Sequence, residues 1–142
     1  MSAQARDRRA AAGGEAGGRL AWYRRIRAAT EALAGPLSPE DCTAQSMTDA
    51  SPAKWHLGHT TWFFETLILE EELRPFSPYD PDYRVLFNSY YQTVGPQHPR
   101  PRRGLVTRPG LQEILNYRAA TDEKMEQLLS QHGVLVAVAR GR

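Results

Sequence analysis

The stretch SPAKWHLGHTTWFFETLIL, residues 51–69, decides the reading of this chain. Its apolar residues Trp55, Leu57, Trp62, Phe63, Phe64, Leu67, Ile68 and Leu69 cover much of a helix circumference, as in a helix buried on more than one side. Ser51 suits an N-cap and Pro52 a first helical position. The helix is expected to run from Pro52 to about Leu73, where Arg74-Pro75 and the SPYDPD segment break it. Within it lies Trp55-His56-Leu57-Gly58-His59-Thr60-Thr61-Trp62. The three-residue step between His56 and His59 puts the two rings on neighbouring faces, one inward and one outward. Trp55, His59 and Trp62 follow one stripe and are expected to face the interior together.

Working outward, Leu20, Tyr23, Ile26, Thr30 and Leu33 recur at helical steps over 19–34, and Gly35-Pro36 ends that helix. A loop rich in Pro, Ser, Thr and Asp then leads to Ser51. Residues 82–94 alternate in a way that fits a short helix or a strand. The proline- and arginine-rich run 95–109 reads as irregular. Leu111, Ile114, Leu115, Arg118, Asp122, Met125 and Leu129 then trace an amphipathic helix over about 110–131. These periods predict an all-α, antiparallel bundle in which a fourth long helix is absent, leaving an apolar groove open to self-association. Residues 1–18, with no large apolar side chain beyond Met1, are expected to form a disordered leader. Residues 132–142, HGVLVAVARGR, form an atypical tail that fits no part of a bundle.

Composition narrows the function. The chain of 142 residues is at most one small domain, with 41% hydrophobic and 24% charged residues, an ordinary soluble balance. No run approaches the roughly 20 apolar residues of a membrane span. A formal charge of +2 gives no reason to expect a nucleic-acid partner. The single Cys42 cannot form an internal disulfide, and the expected compartment is the cytoplasm. Two features could carry chemistry. One is His59, a neutral imidazole aimed into a bundle core, which serves either as a hydrogen-bonded packing residue or as a ligand for iron, zinc, nickel or copper. The other is HPRPRRGLVTR, residues 98–108, whose arginines fit a carboxylate clamp, a solvated loop or a nucleic-acid contact, the last disfavoured because no aromatic stacking platforms are interleaved.

The same stretches carry a resemblance. SPAKWHLGHTTWFFETLIL, then FNSYYQTVGPQHPRPRRGLVTRP at 87–109 and EILNYRAATDEKMEQLL at 113–129, resemble the N-terminal DinB-like domain of the ergothioneine-biosynthesis sulfoxide synthases. The order and spacing match from PLSPED at 36–41 through Leu129. The resemblance implies a DinB-like up-down bundle joined, in the family, to a C-terminal domain similar to formylglycine-generating enzymes. It implies a non-haem iron(II) held by three histidines, where O2 drives sulfur–carbon bond formation between a cysteine-type thiol and the imidazole of trimethylhistidine. His59 matches one iron ligand, and Arg100 and Arg103 fall near the arginines that bind the donor's carboxylates. The family's other two ligands form an H-x-x-x-H pair, a spacing found nowhere in this sequence. The resemblance therefore implies the first part of such an enzyme, with weak or no iron binding, no catalytic residue of its own and no activity alone. The alternative is a free-standing DinB-like module that binds a metal or thiol without oxygenase chemistry.

Overall fold

The structure is a computed structural model that describes residues 3–131, with side chains from residue 17 onward. It contains helices α1 (Ala3–Ala34), α2 (Pro39–Thr43), α3 (Ala53–Phe64), α4 (Glu70–Glu72), α5 (Tyr83–Leu86) and α6 (Leu111–Ser130). A π-helical segment, Glu65–Leu69, joins α3 to α4, and a 3-10 segment covers Arg100–Leu105. No strand occurs among the described residues, so the fold is all-α as expected. The strand alternative for 82–94 gives way to α5 followed by turns.

Two expectations need correction. The leader placed over 1–18 is helical from Ala3 onward. Its alanines extend a helix already nucleated downstream, and extension adds a hydrogen bond for each residue fixed. The loop before Ser51 holds α2. There the Ser38 hydroxyl accepts from the Asp41 amide at 3.1 Å, and the Asp41 carboxylate accepts from the Ser38 amide at 3.3 Å. The C-terminal tail 132–142 lies outside the described residues.

The long helices pack around two apolar clusters. One gathers Trp55, Leu57, Trp62, Tyr83, Phe87, Ile114 and Tyr117, and the other Tyr23, Ile68, Leu69, Met125 and Leu128. The first cluster takes residues of α3 and the N-terminal half of α6, and the second takes the π segment that continues α3 and the C-terminal half of α6, so α3 and α6 run in one direction and not antiparallel as expected. Tyr23 sits in the second cluster while Ala34 packs on the first, so α1 runs the opposite way. The connection from Leu73 to Gly110 returns the chain and supplies the wall against which α3 presents His59. Along α1, Trp22, Ile26 and Leu33 remain exposed.

A polar seam lies between the clusters. Arg118, fully buried, donates to the Leu57 carbonyl at 3.1 Å and to the Thr60 hydroxyl at 3.0 Å, and its Nε reaches Glu31 at 3.1 Å. Arg27 donates to Thr61 at 2.9 Å and to Asp122 at 2.7 Å. Asp122 also accepts from the Tyr23 hydroxyl at 2.5 Å. Buried guanidinium groups need partners for nearly every donor, and here the three long helices supply them jointly.

Candidate functional site

Trp55, His59 and Trp62 stand on one face of α3 because steps of four and three residues bring side chains back to the same side. The His59 ring is stacked between the two indoles, 4.8 Å from Trp55 at 11° and 5.6 Å from Trp62 at 18°. Stacking fixes the ring plane. Its Nδ1 lies 2.7 Å from the Phe87 carbonyl oxygen. A carbonyl can only accept, so Nδ1 carries the hydrogen in the neutral ring and Nε2 keeps its lone pair. Burial lowers the His59 pKa below its ordinary value, the Phe87 hydrogen bond opposes that shift, and the Arg103 charge adds to it. The neutral form prevails at pH 7.

Gly58 makes this contact accessible. A Cβ there would sit 2.5 Å from the Phe87 ring, so only glycine lets Phe87 approach the helix. Phe87 follows α5 directly, at a helix end whose carbonyls have no intrahelical partners. Three consecutive carbonyls are taken up by side chains. The Trp55 indole N–H donates to Leu86 at 2.8 Å, His59 Nδ1 to Phe87, and an Arg103 terminal nitrogen to Asn88 at 3.3 Å. The Asn88 amide, in turn, donates to the carbonyls of Tyr91, Gly95 and Pro96, which folds the 88–96 loop.

Arg103 lies in the 3-10 segment and is buried, with its guanidinium 3.5 Å from the centroid of a Trp55 ring. One terminal nitrogen donates to the Ser51 hydroxyl at 2.9 Å. Ser51 was expected to cap α3, but Pro52 takes the cap position and the Ser51 hydroxyl serves Arg103. Burial, and secondarily the Arg100 charge, brings the Arg103 pKa down to about 10, so it stays charged at neutral pH. Arg100 is half-buried, and its guanidinium lies 4.9 Å from the Tyr90 ring centroid. Two buried donors in this region, Trp62 Nε1 and Arg103 Nε, lack a hydrogen-bond partner among the described residues.

The other candidates fall elsewhere. His56 is exposed, its ring edge-on to Trp55 at 5.5 Å. The His98 ring lies 3.4 Å from the Arg102 carbonyl, in the loop itself. Arg108 pairs with Glu113 at the surface, 3.5 Å away. Cys42 is buried, and burial raises its thiol pKa, the opposite of activation.

The site thus offers one neutral imidazole with a fixed tautomer, a cation stacked behind it and two unused donors. Such an imidazole can ligate a metal or accept a proton. His59 fits one position of an iron site. Among the described residues no group of three or more His, Cys, Asp or Glu side chains is placed to hold a metal ion.

Sequence reasoning missed Asn88, Glu65 and the polar seam. Arg118 carried a legible signal, an arginine in line with Leu111, Ile114 and Met125. Among the described residues no helix is long and apolar enough to cross a membrane. A search of curated proteins finds no match to the chain. The family model described as the DinB superfamily matches residues 23–134, which include the end of α1, all of α3 and α6 and the His59 site, and the chain belongs to that superfamily.

Proposed function

We propose that this DinB-superfamily domain is the His59-bearing part of an iron(II)-dependent sulfoxide synthase that joins a cysteine-type thiol to the imidazole of trimethylhistidine. The observation that carries this reading is the His59 ring, stacked between Trp55 and Trp62 with Nδ1 on the Phe87 carbonyl. Metal-ligating histidines characteristically donate their second N–H in this way, which fixes the ring and raises its basicity. The resemblance of residues 36–129 to the synthases gives the metal and the reaction class.

In this reading His59 Nε2 is one iron ligand, and the other donors lie outside the described residues. Iron, when bound, supplies the activation of O2. The chain's own residues hold the imidazole and exclude water from one side of it with two indoles. Arg100 and Arg103 lie beside the thiol donor's carboxylates. Arg100 takes the first contact, because each terminal nitrogen of Arg103 already donates within the site, one to Ser51 and one to Asn88.

The test has two arms. Anaerobic iron(II) titration of the purified chain should show weak binding that is lost in His59→Ala and kept in His56→Ala. Equal binding by wild type and His59→Ala would refute the ligand assignment. The chain is then mixed with a sulfoxide-synthase segment bearing an H-x-x-x-H helix, iron(II), cysteine or γ-glutamylcysteine, trimethylhistidine and O2. Sulfoxide formation that requires both polypeptides and His59 is the expected result; none in the mixture counts against the reaction class.

A further inference from the structure

We infer that Arg103 is a positioning residue for His59: it holds the 86–88 carbonyl row in register with α3, so that the imidazole keeps its hydrogen on Nδ1 and its lone pair on Nε2. The inference rests on the reading of His59 as a donor through Nε2, but the tautomer itself needs no metal to be measured.

The carbonyls of Leu86, Phe87 and Asn88 are met by Trp55, His59 and Arg103 in that order. The three donors also touch one another as a stack. Arg103 lies 3.5 Å from a Trp55 ring centroid, and Trp55 lies 4.8 Å from His59. Trp55 and His59 share α3, so their donors move together. The row of acceptors belongs to a different segment, at the end of the four-residue α5, too short a helix to hold itself in place. Tyr83 and Phe87 anchor its side chains in the first apolar cluster, and hydrogen bonds have to set where its carbonyls lie against α3.

Arg103 does so with the two arms of one planar fork. One terminal nitrogen holds Ser51 at the entry of α3, and the other holds the Asn88 carbonyl next to Phe87. The guanidinium is rigid, so it fixes the distance between these points, and stacking on the indole fixes its plane. With the fork gone, Asn88 loses a donor and the Phe87 carbonyl can drift from Nδ1. Free histidine favours the Nε2–H form. A ring released from Phe87 therefore places its hydrogen on the atom that has to bind.

A solvated or purely structural arginine would behave differently. It would change stability while leaving the tautomer of any folded molecule unchanged.

The test uses the full chain labelled with 15N-histidine, with the His59 ring signals assigned by their loss in His59→Asn. Nitrogen–proton correlation spectra of the wild type should show Nδ1 protonated and Nε2 unprotonated. Arg103→Met, which keeps the apolar stem, and Arg103→Lys, which keeps the charge without the fork, should both move His59 toward the Nε2–H form. Exposed Arg102→Met should leave it unchanged. If both Arg103 variants fail to fold, Ser51→Ala removes one arm of the fork and should give a mixture of tautomers. A folded Arg103→Met or Arg103→Lys, or failing those a Ser51→Ala, with Nδ1 fully protonated overturns the inference. Iron(II) affinity separates this from the functional reading: Arg103→Met should bind about 10-fold more weakly, a usual effect of losing an outer partner of a ligand. No iron binding by wild type with the tautomer shift present would refute the iron reading alone. Unchanged tautomer and iron affinity in Arg103→Met would refute the positioning role alone.

Discussion

Gly58 shows how a single missing side chain can shape the site. Its neighbour Phe87 is buried and bounded by Tyr83, 5.1 Å away, and by Tyr117, 6.4 Å away. The ring has no free direction in which to yield to a Cβ. Gly58→Ala should therefore cost about 1–3 kcal/mol, as overpacking of a filled core does, even though alanine is the better helix former. Urea unfolding measures the loss, and a stabilised variant would show that Phe87 moves freely. The residue scale was only partly legible. Three-residue spacing separates His56 from His59, and the structure has the first exposed and the second stacked. Arg103 gave no such signal. An arginine among prolines reads as solvated, and its burial depends on Ser51 and Asn88, which lie far from it in sequence.

At the scale of elements, the long helices followed from apolar period, proline and glycine. What periodicity could not give was the π segment Glu65–Leu69 inside the expected helix 52–73. A widened turn shifts the faces by one residue without changing the composition. The shift turns buried Glu65 toward the Tyr117 hydroxyl at 2.6 Å and the Tyr79 amide at 2.8 Å. Helix α2 escaped notice because five residues hold no period, although its Ser-x-x-Asp capping pattern was present in the sequence. Tyr117→Phe tests the π segment. It keeps the ring and removes the donor, leaving a buried carboxylate with one partner fewer. The expected loss is about 1–3 kcal/mol, the cost of an unsatisfied buried acceptor. Glu65→Gln in the same background should recover part of it, because a neutral amide is cheaper to bury than a carboxylate. A double variant less stable than Tyr117→Phe would contradict this account.

Across the whole molecule, the polar seam couples α1, α3 and α6 more specifically than the apolar clusters do. Asp122 accepts from both Tyr23 and Arg27, and the Arg27 side chain is nearly inaccessible. Asp122→Ala would leave a buried guanidinium without its carboxylate, a change that costs about 3–5 kcal/mol in comparable pairs. Loss of cooperative thermal unfolding in this variant is the expected outcome. Wild-type stability in Asp122→Ala would show that water reaches Arg27.

The same burial sets the protein's response to alkali. Burial pushes the Tyr83 phenol up to about 12, with Asp80 and Glu113 adding to the shift. Burial also drives Tyr23 and Tyr117 well above the ordinary tyrosine range, helped by Asp122 in one case and by Glu65 in the other. In the unfolded chain a tyrosine ionises near pH 10. Below that pH both states hold the proton, and stability does not depend on these groups. Above it the unfolded chain releases protons that the folded chain retains, so ionisation favours unfolding. Stability should therefore stay level up to about pH 9 and fall steadily from about pH 10 to pH 12. Urea midpoints across this range give the slope. Absorbance at 295 nm follows the tyrosinates, and three of the six tyrosines should ionise only as the helical signal is lost. Tyr117→Phe, compared with its own value at neutral pH, should make the decline shallower by removing one of the three groups. Ionisation of all six tyrosines near pH 10 with the helices intact would show that the phenols are not held by the fold.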